Sequence, residues 1–198
     1  VNWTFAPMID IARDPRWGRI AESFGEDSHL AAVLGAAAIR GFQGDGLSRP
    51  GAIAACAKHF VGYGASEGGR DYGYVGIPEV DLRNVHMPPF RAAADAGVAT
   101  FMAAFSDVNG VPASANPFLL RTVLRGEWKF PGFVVSDWDS IVDMVVHGLV
   151  ANDEEAALAA LSAGVDMEMV STTYRDHLPG LLAADAVIIG RTNCDEFA

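Results

Sequence analysis

Hydrophobic positions along this chain fall into two kinds of run. Short, nearly continuous apolar runs stand at NWTFAPMID (2–10), AIAACAKHFVGYG (52–64), VATFMAAF (98–105), GFVVSDW (132–138) and VDMEMV (165–170). Runs of this kind read as strands buried on both faces. Between them lie longer stretches with helical patterning, at 28–42, 79–96, 117–128, 140–147 and 153–163. The punctuation agrees. Asn116-Pro117 supplies an N-cap with proline at the first helical position. Asn152 precedes Asp153, Glu154 and Glu155, acidic residues suited to a helix N-terminus. Gly97 and Gly164 stand where helices should stop.

Strand–helix alternation with continuous apolar strands implies a parallel sheet covered by helices. A doubly wound sheet and a (β/α)8 barrel both satisfy that pattern. Polar residues sit at or near the ends of several runs: Asp10, Lys58-His59, Asp137 and Glu168. Several strand ends contributing to one face is the layout of a barrel active site. Five strands are too few to close eight. The expected fold is therefore α/β, an incomplete (β/α)8 TIM-like barrel of parallel strands with covering helices, cut from a larger domain.

Composition narrows the function classes. Hydrophobic residues make up 51% and charged residues 20% of the 198, a folded rather than disordered balance. A net charge of −11 argues against a nucleic-acid surface, which needs a basic footprint. No apolar run reaches the ~18 residues of a membrane span. Cys56 and Cys194 form no CxxC and no disulfide framework. Val1 opens inside a strand-like run, so any targeting signal is expected to lie outside this sequence. Nothing in the sequence sets an oligomeric state.

Three constellations carry candidate chemistry. Asp137 ends a buried run, where a carboxylate serves as nucleophile, base or metal ligand; its structural alternative is an N-cap for the helix near Ser140. Trp138 beside it offers an indole face for a sugar ring, or else a core side chain. Lys58 and His59 follow AIAACA; a charged Lys at the end of a buried strand is costly without a partner. They act on a ligand or belong to a structural ion network. Without HxH or HExxH spacing, a zinc site has little support, and no metal or cofactor is expected. RDPRWGRIAESFGED (13–27) crowds arginines against acids, either to grip a hydroxyl-rich ligand or to tie a loop. GYGASEGG lacks the Lys-Ser/Thr of a phosphate loop.

Taken in order, NWTFAPMIDIARDPRWGRIAESFGED, AAIRGFQGD, AKHFVGYGASEGGRDY, MPPFRAAADAGVATFMAAFSDVNGVPAS, LLRTVLRGEWKFPGFVVSDW and AGVDMEM resemble glycoside hydrolase family 3, the β-glucosidase and β-xylosidase group. The resemblance covers residues 1–182. It implies a (β/α)8-like barrel and retaining hydrolysis of terminal β-D-glycosidic bonds, with Asp137 of the SDW motif as nucleophile. It implies that Arg19, Lys58, His59, Met102 and Trp138 hold the terminal sugar. Phe105 stands where many members have Tyr, so it keeps an apolar face and loses a phenol. The loop KHFVGYGASEGG lacks the catalytic His of the N-acetylglucosaminidase branch. The acid/base of the multi-domain β-glucosidases lies on a second domain outside this chain. The implied partner is an oligosaccharide or an aryl or alkyl β-glycoside, the implied location periplasmic or secreted, and the isolated chain is expected to be inactive. The alternative is a catalytically dead carbohydrate-binding barrel remnant.

Residues 183–198, AADAVIIGRTNCDEFA, resemble instead the amidase-signature family, notably the A subunit of tRNA-dependent amidotransferases. Lys58 and Lys129 are the only lysines and both lie upstream, so no Ser–Ser–Lys chemistry is implied. A spurious join near 182–184 is the expectation, dividing the chain into 1–182 and a foreign tail at 183–198.

Overall fold

A computed structural model of the chain describes residues 2–177. Its main sheet contains β1 (Cys56–Phe60), β3 (Thr100–Ala103) and β6 (Phe133–Val135), all parallel, in the order β1-β3-β6. The 2–10 segment joins beside β1 through single parallel bridges, Trp3 to Ala54 and Met8 to Lys58. The 165–170 segment joins beside β6 through one, Val135 to Met167. The five members thus follow each other in chain order without reversal. A doubly wound sheet reverses direction at a switch point, so this order selects the barrel arc.

The regular strands are shorter than the apolar runs. Pro7 interrupts the first, because proline offers no N–H to a ladder. The second stops at Phe60, two residues before Gly62 turns the chain in a left-handed conformation. The third and fourth give way to site loops beyond Ala103 and Val135.

The helices match the sequence expectation more closely. Ser28–Gln43 begins behind Asp27, whose side chain accepts from the Leu30 N–H. Residues 79–95 form one helical stretch that widens at Leu82–His86. Phe118–Glu127 is wide throughout, and Asn116 Oδ1 accepts from the Leu119 N–H at its start. Asp153–Ala163 runs from the Asn152 cap to Gly164 in left-handed geometry. The expected 140–147 helix is reduced to Asp143–Val146 after a series of turns.

Alternation along the strands divides the side chains between two cores. Ala57, Phe101 and Val134 face the helices and join the larger cluster with Phe90, Leu120 and Ile39. Cys56, Met102, Val135 and Met167 face the other way, into the barrel interior, where Trp3, Phe133 and Met169 pack on them. Burial pushes the Cys56 thiol up to about 12, so it stays protonated as a packing group.

A second small sheet covers the strand ends. β2 (Tyr74–Val75) pairs with β4 (Asp107–Val108), and β4 pairs with β5 (Val111–Pro112) in a hairpin. Asn109-Gly110 makes its turn, both residues at positive φ (54° and 92°), as a two-residue hairpin loop demands. Asn109 also brackets Ile77, accepting from its N–H at 2.9 Å and donating to its carbonyl at 2.7 Å. The loops after β1 and β3 are thereby fixed to each other.

Candidate active site

Inward alternation places Lys58 two residues beyond Cys56, and Asp137 two residues beyond Val135. Both stand above the interior layer at the C-terminal end of the sheet. The β1 register shifts between Ala57 and Phe60, and His59 follows Lys58 into this region.

His59 is 1% exposed and sits at the centre. Its backbone N–H and its Nδ1 both meet Asp10 Oδ2, at 2.9 and 2.8 Å. A carboxylate oxygen only accepts, so Nδ1 carries a proton. On the other side, Nε2 lies 3.3 Å from Asp137 Oδ2 and 3.2 Å from Arg19 Nη1. The Tyr63 ring contacts the imidazole edge-on, with centroids 4.9 Å apart, and Phe105 stands 6.5 Å away.

Arg19 arrives from the 13–27 loop. Its Nε and Nη2 grip both oxygens of Glu22 at 2.7 and 2.8 Å, leaving Nη1 for His59. The Glu22 pair raises the already high Arg19 pKa, so this cation is permanent. Trp17 anchors the loop: it is buried, donates to Asp71 at 2.8 Å and packs edge-on against Tyr63. The glycines of GYGASEGG serve this contact. A Cβ on Gly64 would come within 2.5 Å of the Ile11 carbonyl, and one on Gly69 within 2.7 Å of the Arg16–Trp17 backbone.

Asp137 is 6% exposed. Its Oδ1 accepts from the Trp138 N–H at 2.8 Å, while Oδ2 has no hydrogen bond among the described residues. Burial raises its pKa; the charges of His59, Lys58 and Arg19 and the Trp138 N–H oppose that rise. The carboxyl is not a helix N-cap for a helix at Ser140, where the chain forms turns. The Trp138 indole is 59% exposed and is not a core side chain.

The remaining expected site residues divide. Lys58 is half-buried and its charge acts on both Asp137 and Glu22. Phe105 is buried against Tyr63 and holds the exposed Tyr72 edge-on at 4.6 Å. Met102 lies one layer deeper, 2% exposed among Cys56, Val135 and Met167, where it forms floor rather than wall. Glu168, a strand-end candidate in the sequence, turns away into the chain that follows. Its carboxylate accepts from Ser171, from both the N–H and hydroxyl of Thr173, and from the Tyr174 N–H. The sequence reading placed Asp10 at a strand end but gave it no role, and Tyr63 escaped it.

A buried histidine outside this group has a different character. His86 is 6% exposed, its Nδ1 has no partner among the described residues, and burial lowers its pKa to about 4.

Comparison with known proteins gives the family. The chain is 43% identical over 187 residues to a periplasmic β-glucosidase of Salmonella typhimurium, covering 94% of this chain and 24% of that protein. It is 42% identical over 175 residues to a β-xylosidase of Formosa agariphila, covering 86% of this chain and 24% of the relative. A crystal structure of β-glucosidase from Listeria innocua in complex with glucose superposes with a TM-score of 0.89 at 43% identity, over 93% of this chain and 26% of that one. The chain therefore spans about a quarter of the length of these relatives. No helix among the described residues is long and apolar enough to cross a membrane.

The family match runs over residues 1–193, and the amidase-signature likeness of 183–198 finds no support. That segment lies outside the described residues. On the barrel arc, the polar cluster at its C-terminal end and a match over nearly the whole length, the chain belongs to glycosyl hydrolase family 3, as its N-terminal domain.

Proposed function

We propose that this chain is the nucleophile-bearing part of a retaining β-glycosidase that hydrolyses terminal non-reducing β-D-glycosidic bonds. The observation that carries this reading is Asp137 Oδ2: a buried carboxylate oxygen at a strand end with no hydrogen bond among the described residues, facing His59 at 3.3 Å. A buried oxygen left without a hydrogen bond costs stability, and such a cost is kept where the group has chemistry to do.

In this reading Asp137 Oδ2 attacks the anomeric carbon as the glycosidic C–O bond breaks, forming a glycosyl-enzyme. Water then releases the sugar with retention. Arg19 Nη1, Lys58 and His59 Nε2 converge on the same space and bind the sugar hydroxyls. Trp138 offers its exposed indole to a ring face. Phe105 supplies an apolar wall without a phenol, and Met102 supports the floor.

Retention needs a second carboxyl about 5–5.5 Å from the nucleophile. Asp10 is committed to His59 behind the pocket, and Glu22 to Arg19. The family resemblance implies that the proton for the leaving oxygen comes from a residue on a second domain, so the isolated chain is expected to be inactive. The relatives named β-glucosidase and β-xylosidase support a substrate with a terminal glucose or xylose. The relative named periplasmic supports an exported enzyme.

The test is a 2-fluoro β-glucoside trap on the complete enzyme that carries this chain, read by peptide mass spectrometry. A stable adduct on the peptide containing Asp137 is the expected result. Sugar binding with Asp137 unmodified would point to the binding-only remnant and overturn the enzyme reading.

A further inference from the structure

We propose that Asp10 is a positioning residue of this site. By accepting the backbone N–H and Nδ1–H of His59 on one buried oxygen, it orients the ring so that Nε2 is the nitrogen presented to Asp137. The proposal rests on the reading of Asp137 as nucleophile and adds a residue that touches neither substrate nor reacting atoms.

Three observations carry it. Asp10 is 1% exposed, and its two hydrogen bonds, 2.8 and 2.9 Å, both go to His59 and both use Oδ2. Oδ1 has no hydrogen bond among the described residues. Glu168, by contrast, is held by four donors on its two oxygens; Asp10 gives both of its hydrogen bonds to His59. Packing alone does not choose the ring's orientation. Tyr63 and Phe105 meet the imidazole through ring faces and edges, contacts that do not distinguish its nitrogens from its carbons. The turned ring would point a C–H at Asp10 and leave a buried carboxylate short of a donor, at substantial cost. Asp10 therefore makes the choice.

The consequence is chemical. With Nδ1 holding its proton, Nε2 accepts from Arg19 Nη1 or from a sugar hydroxyl when the ring is neutral. When the ring is charged, Nε2 donates toward Asp137. The titratable and charged groups facing this ring are Asp10 from the first segment, Arg19 and Glu22 from the 13–27 loop, Lys58 and Tyr63 from β1 and its turn, and Asp137 beyond β6. His86, on the 79–95 helix, feels the charge of Asp10 as well.

The experiment uses the complete enzyme and an aryl β-glucoside. Asp10→Asn removes the charge while keeping the side-chain shape. It is expected to lower kcat/KM by ~100-fold, more through kcat than KM, on the scale of losing one preorganised donor. The pH profile should change with it, which a purely structural defect would not produce. In parallel, nitrogen NMR on the wild-type enzyme with labelled histidine, assigned through His59→Gln, reads the ring directly. A protonated Nδ1 on His59 is expected. An unprotonated Nδ1 overturns the proposal, even if Asp10→Asn fails to fold. So does an unchanged kcat/KM and pH profile in Asp10→Asn where Asp137→Asn abolishes turnover. If Asp137→Asn keeps its activity, the nucleophile reading fails instead, and the NMR result still decides what Asp10 does to the ring.

Discussion

Two aspartates, Asp137 and Asp166, stand at opposite ends of the same part of the sheet, and their surroundings differ in kind. Asp166, at the N-terminal end, is tied into the scaffold. Its Oδ2 takes Arg125 Nη2 at 2.6 Å and the Val134 N–H at 2.8 Å. Arg125 in turn donates to the carbonyls of Phe130 and Gly132. Gln43 does similar service at that end, accepting from Ala55 and Ala99 and donating to Gly97. Asp137, at the C-terminal end, is more buried and holds one backbone N–H, and its Oδ2 has no hydrogen bond among the described residues. One end of the sheet spends its polar groups on stability, and the other holds them in readiness.

The strongest way to break this comparison is Asp137→Asn. Turnover by the complete enzyme is expected to fall by at least ~10⁴-fold. The melting temperature should rise rather than fall. Burial raises the Asp137 pKa, so its ionised form works against folding at neutral pH, and that contribution is relieved only as pH drops through the raised value. An inactive variant with a lower melting temperature would contradict the reading of Asp137 as a strained, functional carboxylate.

The reverse outcome is expected for Arg125→Ala. It should cost about 2–4 kcal/mol by leaving Asp166 and two carbonyls short of donors. Turnover per folded molecule should stay unchanged in denaturant melts paired with activity assays. A specific loss of kcat would show that the two ends of the sheet are coupled.

A smaller effect separates the site from its supporting shell. His86 has a folded pKa of about 4, below its ordinary 6.5, so the unfolded chain binds the extra proton between those values. The stability it permits is present above about 6.5 and is lost as pH falls toward 4, by about 2–3 kcal/mol. Chemical denaturation across this window should show that slope, and His86→Phe should flatten it. A slope that persists in His86→Phe assigns the acid sensitivity to another group.

Much of this was legible in the sequence, and particular residues show why. Asn152 and Gly164 announced their helix boundaries because capping is local chemistry. Strand–helix alternation announced a parallel sheet because it reflects burial on both faces. Asp137, Lys58 and His59 were visible because a polar residue closing an apolar run is costly wherever it folds. Tertiary structure alone decided the rest. It reduced the 140–147 helix to one short turn, and it gave Glu168 to the local chain and Asp10 to His59. The sequence alone does not say which donors a buried carboxylate will meet. Asp10 and His59 lie far apart along the chain, and only the pairing of the first segment with β1 brings the carboxylate of one within 2.8 Å of the imidazole of the other.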